Sequence, residues 1–378
     1  MDLRKEMDRI NDLYKDDMDL MLGKGLMTMA NGVNSSRALM LAGQLDQVSN
    51  LENPEIPGVN TNFENIVGKY SSAYYRAEST MDVIDKIVKY PDKEDSIYTL
   101  IVYNKKKKMY DIITKKPGTI LTETYGYKYN NEALDELEKG DVIQEDDVLY
   151  RSTSFDEEMN YRLGVNVKTM YTTDPFTIED GIRVSKSLVK KTMSIEYDLV
   201  SISMNGNDIL LNIKGNKKFY KCFADIGESI DNSTLAVKRR VNYSHSLFDF
   251  KEENMRKVLS TDTPYYIPFS EDKVVDISIY SNKKLEDIPD TVYNRQIKEY
   301  MEDEIKYYKK LKNALREIVL HHSYSYDLSE LYIRADRILN PDYVWSDNSR
   351  KVFGNMIITF LIEKRVPIVR GSKLCGKQ

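Results

Sequence analysis

The sequence predicts a folded α+β chain in which short strands predominate and helices occupy a few segments. Hydrophobic residues make up 41% and charged residues 30% of the 378 residues, a mixture that can bury a core and argues against a wholly disordered chain. β-branched and aromatic runs bounded by Gly, Asn or Asp recur along the chain, as is typical of strands. The length exceeds one typical domain, so two domains, or one domain with a large insertion, are expected.

The N-terminal segment is predicted to form an amphipathic helix over residues 2–22, ending at Gly23. Apolar residues recur there at steps of three and four between charged residues, which is the helical period. The apolar positions are Leu3, Met7, Ile10, Tyr14, Met18 and Met21. We interpret the methionines as a packing surface rather than a metal site, because Met readily fills irregular apolar gaps.

The first predicted strands form a hairpin from residues 97–103 and 109–113, with four lysines at its tip, residues 105–108. Such a tip is typical of a solvated guard on a sheet edge, and its alternative role is contact with phosphate. Further strands are predicted at residues 164–170, 208–213, 274–280 and 356–363.

One segment departs from the strand pattern and predicts a long helix in a Lys/Glu background. Its apolar residues keep the helical spacing. They are Ile297, Met301, Ile305, Tyr308, Leu311, Leu315 and Val319. Together with residues 323–339, this pattern predicts that residues 283–350 are a helical excursion inserted between strands of a β domain.

Composition excludes several functional classes. The net charge of −5 and the isoelectric point near 5.6 argue against a general nucleic-acid coat, so any site for a polyanion must be a local basic patch. Cys222 and Cys375 lie far apart without a C-x-x-C partner, which favours a reducing compartment over a disulfide framework. The N-terminus lacks a signal-peptide pattern, and the densest apolar run, residues 356–362, is too short to span a bilayer.

Few residues suggest a self-contained catalytic site. His245 stands alone, and His321 and His322 are adjacent at a predicted helix end, where neighbours cannot face one metal together, so surface roles are expected. The sequence contains no G-x-S-x-G, Walker, G-x-G-x-x-G or H-E-x-x-H motif. Trp345 is expected in a core, and residues 238–240, Lys-Arg-Arg, in a solvated turn that could contact nucleic acid.

Three stretches stand out in the order N-S-S-R-A-L-M at residues 34–40, I-E-D-G-I-R-V-S-K-S-L-V at 178–189, and R-G-S-K-L-C-G-K-Q at 370–378. They resemble the N-R-A-L-M, E-D-[SA]-I-L-[VI]-S-E-R-[LV]-V and G-D-K-[LM]-A-x-R-H-G-N-K-G segments of the β subunit of multisubunit DNA-dependent RNA polymerases. Weaker similarity fills the spaces between them, over roughly residues 28–205 and 352–378.

The chain also departs from the family pattern. Asp46 stands where the family has Arg, beside a retained Gln47, and Gln378 occupies the position of the motif histidine. The resemblance therefore covers an interior piece of β and implies that other chains supply the remainder, unless an intron or intein interrupts a longer product. Split β subunits and the Lys/Asn/Tyr-rich composition suit the polymerases of giant tailed phages.

The resemblance implies part of a double-psi β-barrel that binds the RNA–DNA hybrid, interrupted by a flap with a helical insertion. Residues 1–45 would hold the N-terminal helix and an active-site-proximal segment, and residues 46–205 the first part of the barrel domain. Residues 206–355 would form the flap-like region, including the insertion 283–350. Residues 356–378 would return to the barrel as a strand and end in the lysine motif.

The resemblance also implies roles for individual residues. The catalytic group would be Arg37 on the triphosphate, Lys373 at the RNA 3′-end phosphates, and Glu179 and Asp180 near the nucleotide-borne Mg²⁺ through water. The residues expected to bind nucleic acid are Gln47, Arg183, Lys186, Lys373 and Lys377.

The implied function is that of a β-like subunit of a phage-encoded DNA-directed RNA polymerase, inactive in isolation and located in the host cytoplasm or also packaged in the virion. Its expected partners are β′-like subunits, which would hold most of the Mg²⁺ ligands, other β fragments, template DNA, RNA, nucleoside triphosphates and a promoter-specificity factor at the flap. No membrane partner is expected. The alternative is a non-catalytic phage nucleic-acid-binding or assembly protein with relic polymerase motifs.

Overall fold

The structure is a computed structural model in which the chain forms two compact units. Unit 1 combines Met1–Ala73, Ser152–Ile195 and Val366–Gln378, and unit 2 combines Tyr74–Arg151 and Glu196–Arg365. The structure describes residues 22–71, 73–93, 96–120, 126–173, 175–176, 181–230, 234–241, 252–267, 272–281, 284–340 and 356–374. The four-part division expected from the resemblance stays a prediction.

Unit 1 is built from short helices and extended segments around a small core. Its helices are α1, Leu22–Gly25; α2, Ser35–Asp46; α3, Phe63–Tyr70; and α5, Lys186–Lys191. The Asn34 side chain caps α2 by accepting the Ser36 N–H at 3.0 Å, as sequence preference at helix starts predicts. The buried apolar cluster of this unit consists of Leu26, Leu45 and Leu163.

Unit 2 carries most of the strands. They are β1, Tyr74–Arg76; β2, Met81–Val88; β3, Tyr98–Asn104; β4, Met109–Thr114; β5, Gly118–Ile120; β6, Gly126–Asn130; β7, Val142–Ile143; β8, Val148–Ser152; β9, Ser194–Met204; β10, Asp208–Leu210; β11, Thr234–Arg240; β12, Thr263–Tyr266; β13, Lys273–Ser281; and β14, Met356–Val366. The sheet orders are β1-β8-β6-β5, β4-β3-β2-β7, β10-β11-β12 and β13-β14-β9.

Mixed α+β architecture is thus confirmed. The long ladders β2–β3, β3–β4 and β13–β14 run antiparallel, and within the residues described above the strands form separate sheets and no closed barrel. The double-psi barrel and the flap therefore belong to the proposal below. The predicted hairpin corresponds to β3 and β4, with the four lysines in the connecting turn.

The helical excursion is confirmed as well. Helices α7, Arg295–His321, and α8, Tyr326–Leu339, follow β13 and precede β14, and the two strands pair from Lys273 opposite Glu363 to Ser281 opposite Met356. Short elements complete the unit: helices α4, Glu132–Asp135, and α6, Glu252–Met255, with 3₁₀ turns at Leu285–Asp287 and Val292–Asn294. The buried face of α7 includes Ile297, Met301, Tyr308, Leu311 and Leu315, the spacing that predicted it.

A buried ion cluster ties α7 to the strands of unit 2. The Lys89 ammonium lies 3.0 Å from Asp276 on β13 and 3.8 Å from Glu304 on α7. Burial raises the pKa of Glu304. Burial alone would lower the pKa of Lys89, but the neighbouring Asp276 carboxylate raises that pKa above its ordinary value. The excursion is therefore anchored by charge as well as by apolar packing.

Several sequence expectations are wrong or lie outside the described residues. The strand predicted at 164–170 is absent from the structure: Gly164 forms one isolated bridge to Glu55, and residues 166–170 are exposed rather than paired in a ladder. The strand predicted at 208–213 ends at Leu210. The helix predicted at 2–22 lies almost wholly outside the described residues, and so do His245 and Trp345.

Candidate functional site

The three motif-bearing stretches fall in the same compact unit although they are far apart in sequence. Residues 34–40, 181–189 and 370–374, the described parts of those stretches, all belong to unit 1, whereas unit 2 consists of Tyr74–Arg151 and Glu196–Arg365, which lie between them in sequence. Every predicted site residue that the structure describes is therefore in unit 1. Those residues are Arg37, Gln47, Arg183, Lys186 and Lys373.

Helix α2 presents the first predicted site residue. Arg37 lies in its first turn with an exposed side chain, whereas Ala42 and Leu45 on the same helix are buried. Close packing fixes the helix, since a Cβ added at Gly23 would lie 2.2 Å from the Ala42 carbonyl oxygen. Gln47 directly follows α2 as its C-cap, and its N–H donates to the carbonyls of Gln44 and Leu45. The residue is exposed.

The second stretch leads into helix α5. The Ser185 hydroxyl accepts the Leu188 N–H at 3.2 Å and so caps α5, which places Lys186 at the first helical position. Both Arg183 and Lys186 are exposed, and the Arg183 guanidinium lies 5.9 Å from the centre of the Phe176 ring. This contact is of the cation–π type and limits where the guanidinium can lie.

The third stretch presents Lys373 directly after a tight turn. The Val369 N–H donates to the Ser372 hydroxyl and the Ser372 N–H donates to the Val369 carbonyl, each at 3.0 Å. Gly371 adopts φ +89°, a left-handed conformation that side chains other than glycine rarely take. The R-G-S-K sequence thus folds into a turn that exposes the Lys373 ammonium.

The remaining predicted site residues lie outside the described residues: Glu179, Asp180 and Lys377. Cys375 lies there too. The described residues contain no group of three or more His, Cys, Asp or Glu side chains placed to hold a metal ion. No described helix combines the length and apolar composition that crossing a bilayer requires.

Sequence reasoning missed three exposed apolar side chains of unit 1. Met170 is 82%, Tyr171 93% and Phe176 86% exposed, and all three lie between Gly164 and α5 in sequence. Large apolar side chains at such exposure are found both singly on ordinary surfaces and at surfaces that bind partners or stack against bases. Their alternation with Lys168 and Arg183 was the sequence signal that could have revealed them.

The lysines at the tip of the β3–β4 hairpin in unit 2 form ion pairs with carboxylates. Three of the four hairpin-tip lysines pair with carboxylates, Lys105 with Asp82, Lys106 with Glu145 and Lys107 with Glu78. The structure thus favours the edge-guard interpretation of the tip over phosphate contact.

The expectation of a solvated turn at residues 238–240 is wrong. These residues end strand β11, and the Arg239 guanidinium is buried with two hydrogen bonds to Asp262, at 2.8 and 2.7 Å. A buried bidentate pair of this kind fixes local structure and is not available to phosphate. The adjacent histidines have the expected surface position, since α7 ends at His321 and both rings are exposed.

Unit 1 exposes cations of two kinds. A guanidinium such as that of Arg37 offers two parallel N–H donors, and an ammonium such as that of Lys373 offers a mobile point charge. Among these cations, the aromatic contact is that of Arg183 with Phe176. No protein-family model matches the chain, and no curated protein is significantly similar to it. The resemblance to the polymerase β subunit therefore rests on the sequence motifs.

Proposed function

We propose that the chain is a β-like subunit of a phage-encoded multisubunit DNA-dependent RNA polymerase and contributes phosphate- and hybrid-binding residues to nucleotidyl transfer. The observation that supports this most is that three motif segments, separated by long stretches of sequence, share one compact unit and expose their cations. In this proposal residues 46–205 and 356–378 contribute to the double-psi barrel, and residues 206–355, with α7 and α8, form the flap-like region.

Each predicted site residue that the structure describes has a role in the proposal. Arg37 binds the triphosphate of the incoming nucleotide, and Lys373 binds phosphates at the RNA 3′ end. Gln47, Arg183 and Lys186 bind the nucleic acid. One cation at about 4 Å from a phosphate contributes roughly 4 kcal/mol at an effective dielectric near 20, before desolvation costs. A cation preorganised toward charge that develops in the transition state changes the rate by about two orders of magnitude.

The metal belongs mainly to the partner. The resemblance implies that a β′-like subunit holds most Mg²⁺ ligands in an N-A-D-F-D-G-D motif, and Mg²⁺ would supply charge neutralisation for an in-line displacement. Glu179 and Asp180, the residues of this chain implied to lie near it, are outside the described residues. No step of the proposal is therefore assigned to the metal. The partners in the proposal are the β′-like subunits, other β fragments, DNA, RNA and nucleoside triphosphates, in the host cytoplasm.

Single-nucleotide addition by the reconstituted complex tests the proposal. Arg37→Ala and Lys373→Ala are each expected to slow addition by about 100-fold while leaving promoter binding nearly intact, because their contacts strengthen in the transition state. Lys106→Ala is the matched control, since it removes one exposed lysine charge from the hairpin tip of unit 2. Unchanged addition in both site variants would overturn the residue assignment.

Co-purification separates the proposal from its alternative. Polypeptides retained with the chain at high salt are expected to include one that carries the β′-like motif, and the isolated chain is expected to synthesise no RNA. If the chain binds nucleic acid but no co-purified assembly adds nucleotides, the non-catalytic binding or assembly protein becomes the better description.

A further inference from the structure

Residues 50–58 pair with both ends of the chain segment that carries Arg183 and Lys186. At one end of that segment the Glu55 N–H donates to the Gly164 carbonyl at 2.6 Å. At the other end the Glu52 N–H donates to the Met193 carbonyl at 2.8 Å, and Leu51 forms a bridge with Ser194. The same short stretch of chain therefore binds the segment where it departs and where it returns.

The Glu55 side chain joins the two ends directly. Its Oε2 accepts the Asn166 N–H at 2.8 Å, and its Oε1 accepts a hydrogen bond from the Lys191 ammonium at 3.1 Å. Asn166 adds two more bonds, accepting the Gly58 N–H at 3.0 Å and donating to the Ile56 carbonyl at 2.8 Å. One carboxylate thus bridges the start of the segment and the last residue of α5.

The hydrogen bonds of Glu55 act at the two ends of a segment whose described middle part lies at the surface. Between Asn166 and Ser185 the described residues are exposed and belong to no helix or ladder. Helix α5 has a single turn and a half and no buried residue, so packing does little to fix it. An exposed ion pair is weak by itself, but here the two oxygens of one carboxylate act on two separate points of the chain, Asn166 and Lys191.

We propose that Glu55 is a positioning residue: it holds both ends of the segment 166–191 and thereby fixes α5, with Lys186 at its first position and Arg183 just before it. The proposal rests on the function proposed above for these two cations, and it adds the residue that determines where they lie. Glu55 itself contacts no nucleic acid in this proposal, because its negative charge would repel phosphate.

Hydrogen exchange on the isolated chain tests the bridge without the polymerase. Glu55→Gln is expected to speed exchange about ten-fold for the Asn166 amide and for the last amides of α5, the factor expected for loss of one charge-assisted hydrogen bond. Lys191→Met should affect α5 in the same way, and Lys191→Arg, which keeps the donor, should restore protection. Glu158→Gln is the matched control, because it removes an exposed carboxylate of unit 1 whose contact is with the nearby Asn160.

Binding of an RNA–DNA scaffold by the assembled complex tests the positioning role. Loss of a negative charge should strengthen binding of a polyanion, as expected for Glu158→Gln, yet Glu55→Gln is expected to weaken it several-fold because Arg183 and Lys186 lose their position. The effect should be absent when Arg183 and Lys186 are already alanine, since Glu55 acts through them.

The outcomes separate the two proposals. Unchanged exchange in Glu55→Gln, or a weakening that adds fully to the Arg183→Ala and Lys186→Ala losses, overturns the role of Glu55. If the alanine pair itself leaves scaffold binding unchanged, the proposed function loses these residues whatever Glu55 does. Faster exchange with non-additive weakening supports both.

Discussion

Two glycines in the helices of unit 1 have opposite surroundings. A Cβ added at Gly68 on α3 would lie 1.5 Å from the Met159 carbonyl oxygen, a backbone atom that cannot move alone. A Cβ added at Gly43 on α2 would meet no atom within 4 Å. Identical substitutions at the two positions therefore isolate packing from helix propensity.

Gly68→Ala is expected to destabilise the chain by about 1–3 kcal/mol, because α3 must move away from Met159 and lose packing. Gly43→Ala is expected to stabilise it by about 0.5–1 kcal/mol, since alanine restricts the unfolded chain and favours helix. Thermal unfolding monitored by circular dichroism measures both changes. A stabilising Gly68→Ala would contradict the close contact between α3 and Met159.

At the scale of elements, strand β11 is tied to the chain that follows it by the Arg239–Asp262 pair. Burial alone would raise the pKa of Asp262, but hydrogen bonds from Arg239 and from the Leu259 N–H hold it below its ordinary value. The Arg239 guanidinium also donates to the carbonyls of Asn254 and Lys257. The pair thus fixes the end of β11 against α6 and the turn before β12.

A lowered pKa in the folded state gives the pH dependence a definite sign. The stabilisation from Asp262 is fully present above its unfolded pKa near 4 and is lost as the pH falls through the lower folded value. Asp262→Asn is expected to reduce stability at pH 7 by about 3–5 kcal/mol, since Arg239 stays buried without its charge partner. It should also flatten the dependence below pH 5.

Urea unfolding between pH 3 and pH 7 provides the measurement. Glu145→Gln is the control, because its partner Lys106 and its own side chain are both more than half exposed, and such a pair contributes little. An Asp262→Asn protein that keeps the wild-type acid dependence would show that this pair is not the source of it.

Elements with a strong local period were predictable from sequence. Helix α7 and the β3–β4 hairpin carry their own apolar spacing and turn residues, so their position followed from neighbours in the chain. The strand expected at 164–170 did not form, because a ladder needs a partner strand that no local pattern specifies. Arg239 was expected to be solvated because its partner, the Asp262 carboxylate, lies far along the sequence and gives no local signal.

The candidate site was predictable only in part, because contacts between residues far apart in sequence leave no local pattern. Motif likeness selected Arg37, Arg183 and Lys373, and the structure places them in one unit with exposed side chains. Glu55 carried no signal, since Asn166 and Lys191 are both more than a hundred residues away and a lone Glu beside Pro54 is unremarkable in sequence.

At the scale of the whole molecule, the two units differ in how much apolar surface they bury. The largest buried cluster of unit 2 includes Phe223, Ile277 and Phe360, whereas the cluster of unit 1 has three buried members. Unit 1 also exposes large side chains, with Tyr171 and Phe176 more than four-fifths accessible. Exposed apolar side chains of this size are available to a partner, as the proposed function requires.

A dye that fluoresces on apolar surfaces tests this difference. The isolated chain is expected to bind it, and the double variant Tyr171→Ser, Phe176→Ser should bind clearly less, because much of the accessible apolar area of the segment is removed. Tyr266→Ser in unit 2 is the control, as its ring is 68% exposed in strand β12. Equal dye binding by all three proteins would contradict an exposed apolar surface centred on unit 1.

The pairing of β13 with β14 determines how the length of the chain between these two strands can change. Because Ser281 stands opposite Met356, the chain leaves and re-enters the sheet at adjacent points, and the ladder itself sets no length for what lies between. Closure entropy grows slowly with loop length. The chain between these two strands can therefore change length at its exposed turns while the ladder keeps its register, as long as the face of α7 that packs on the strands, with Glu304 beside Lys89, is retained.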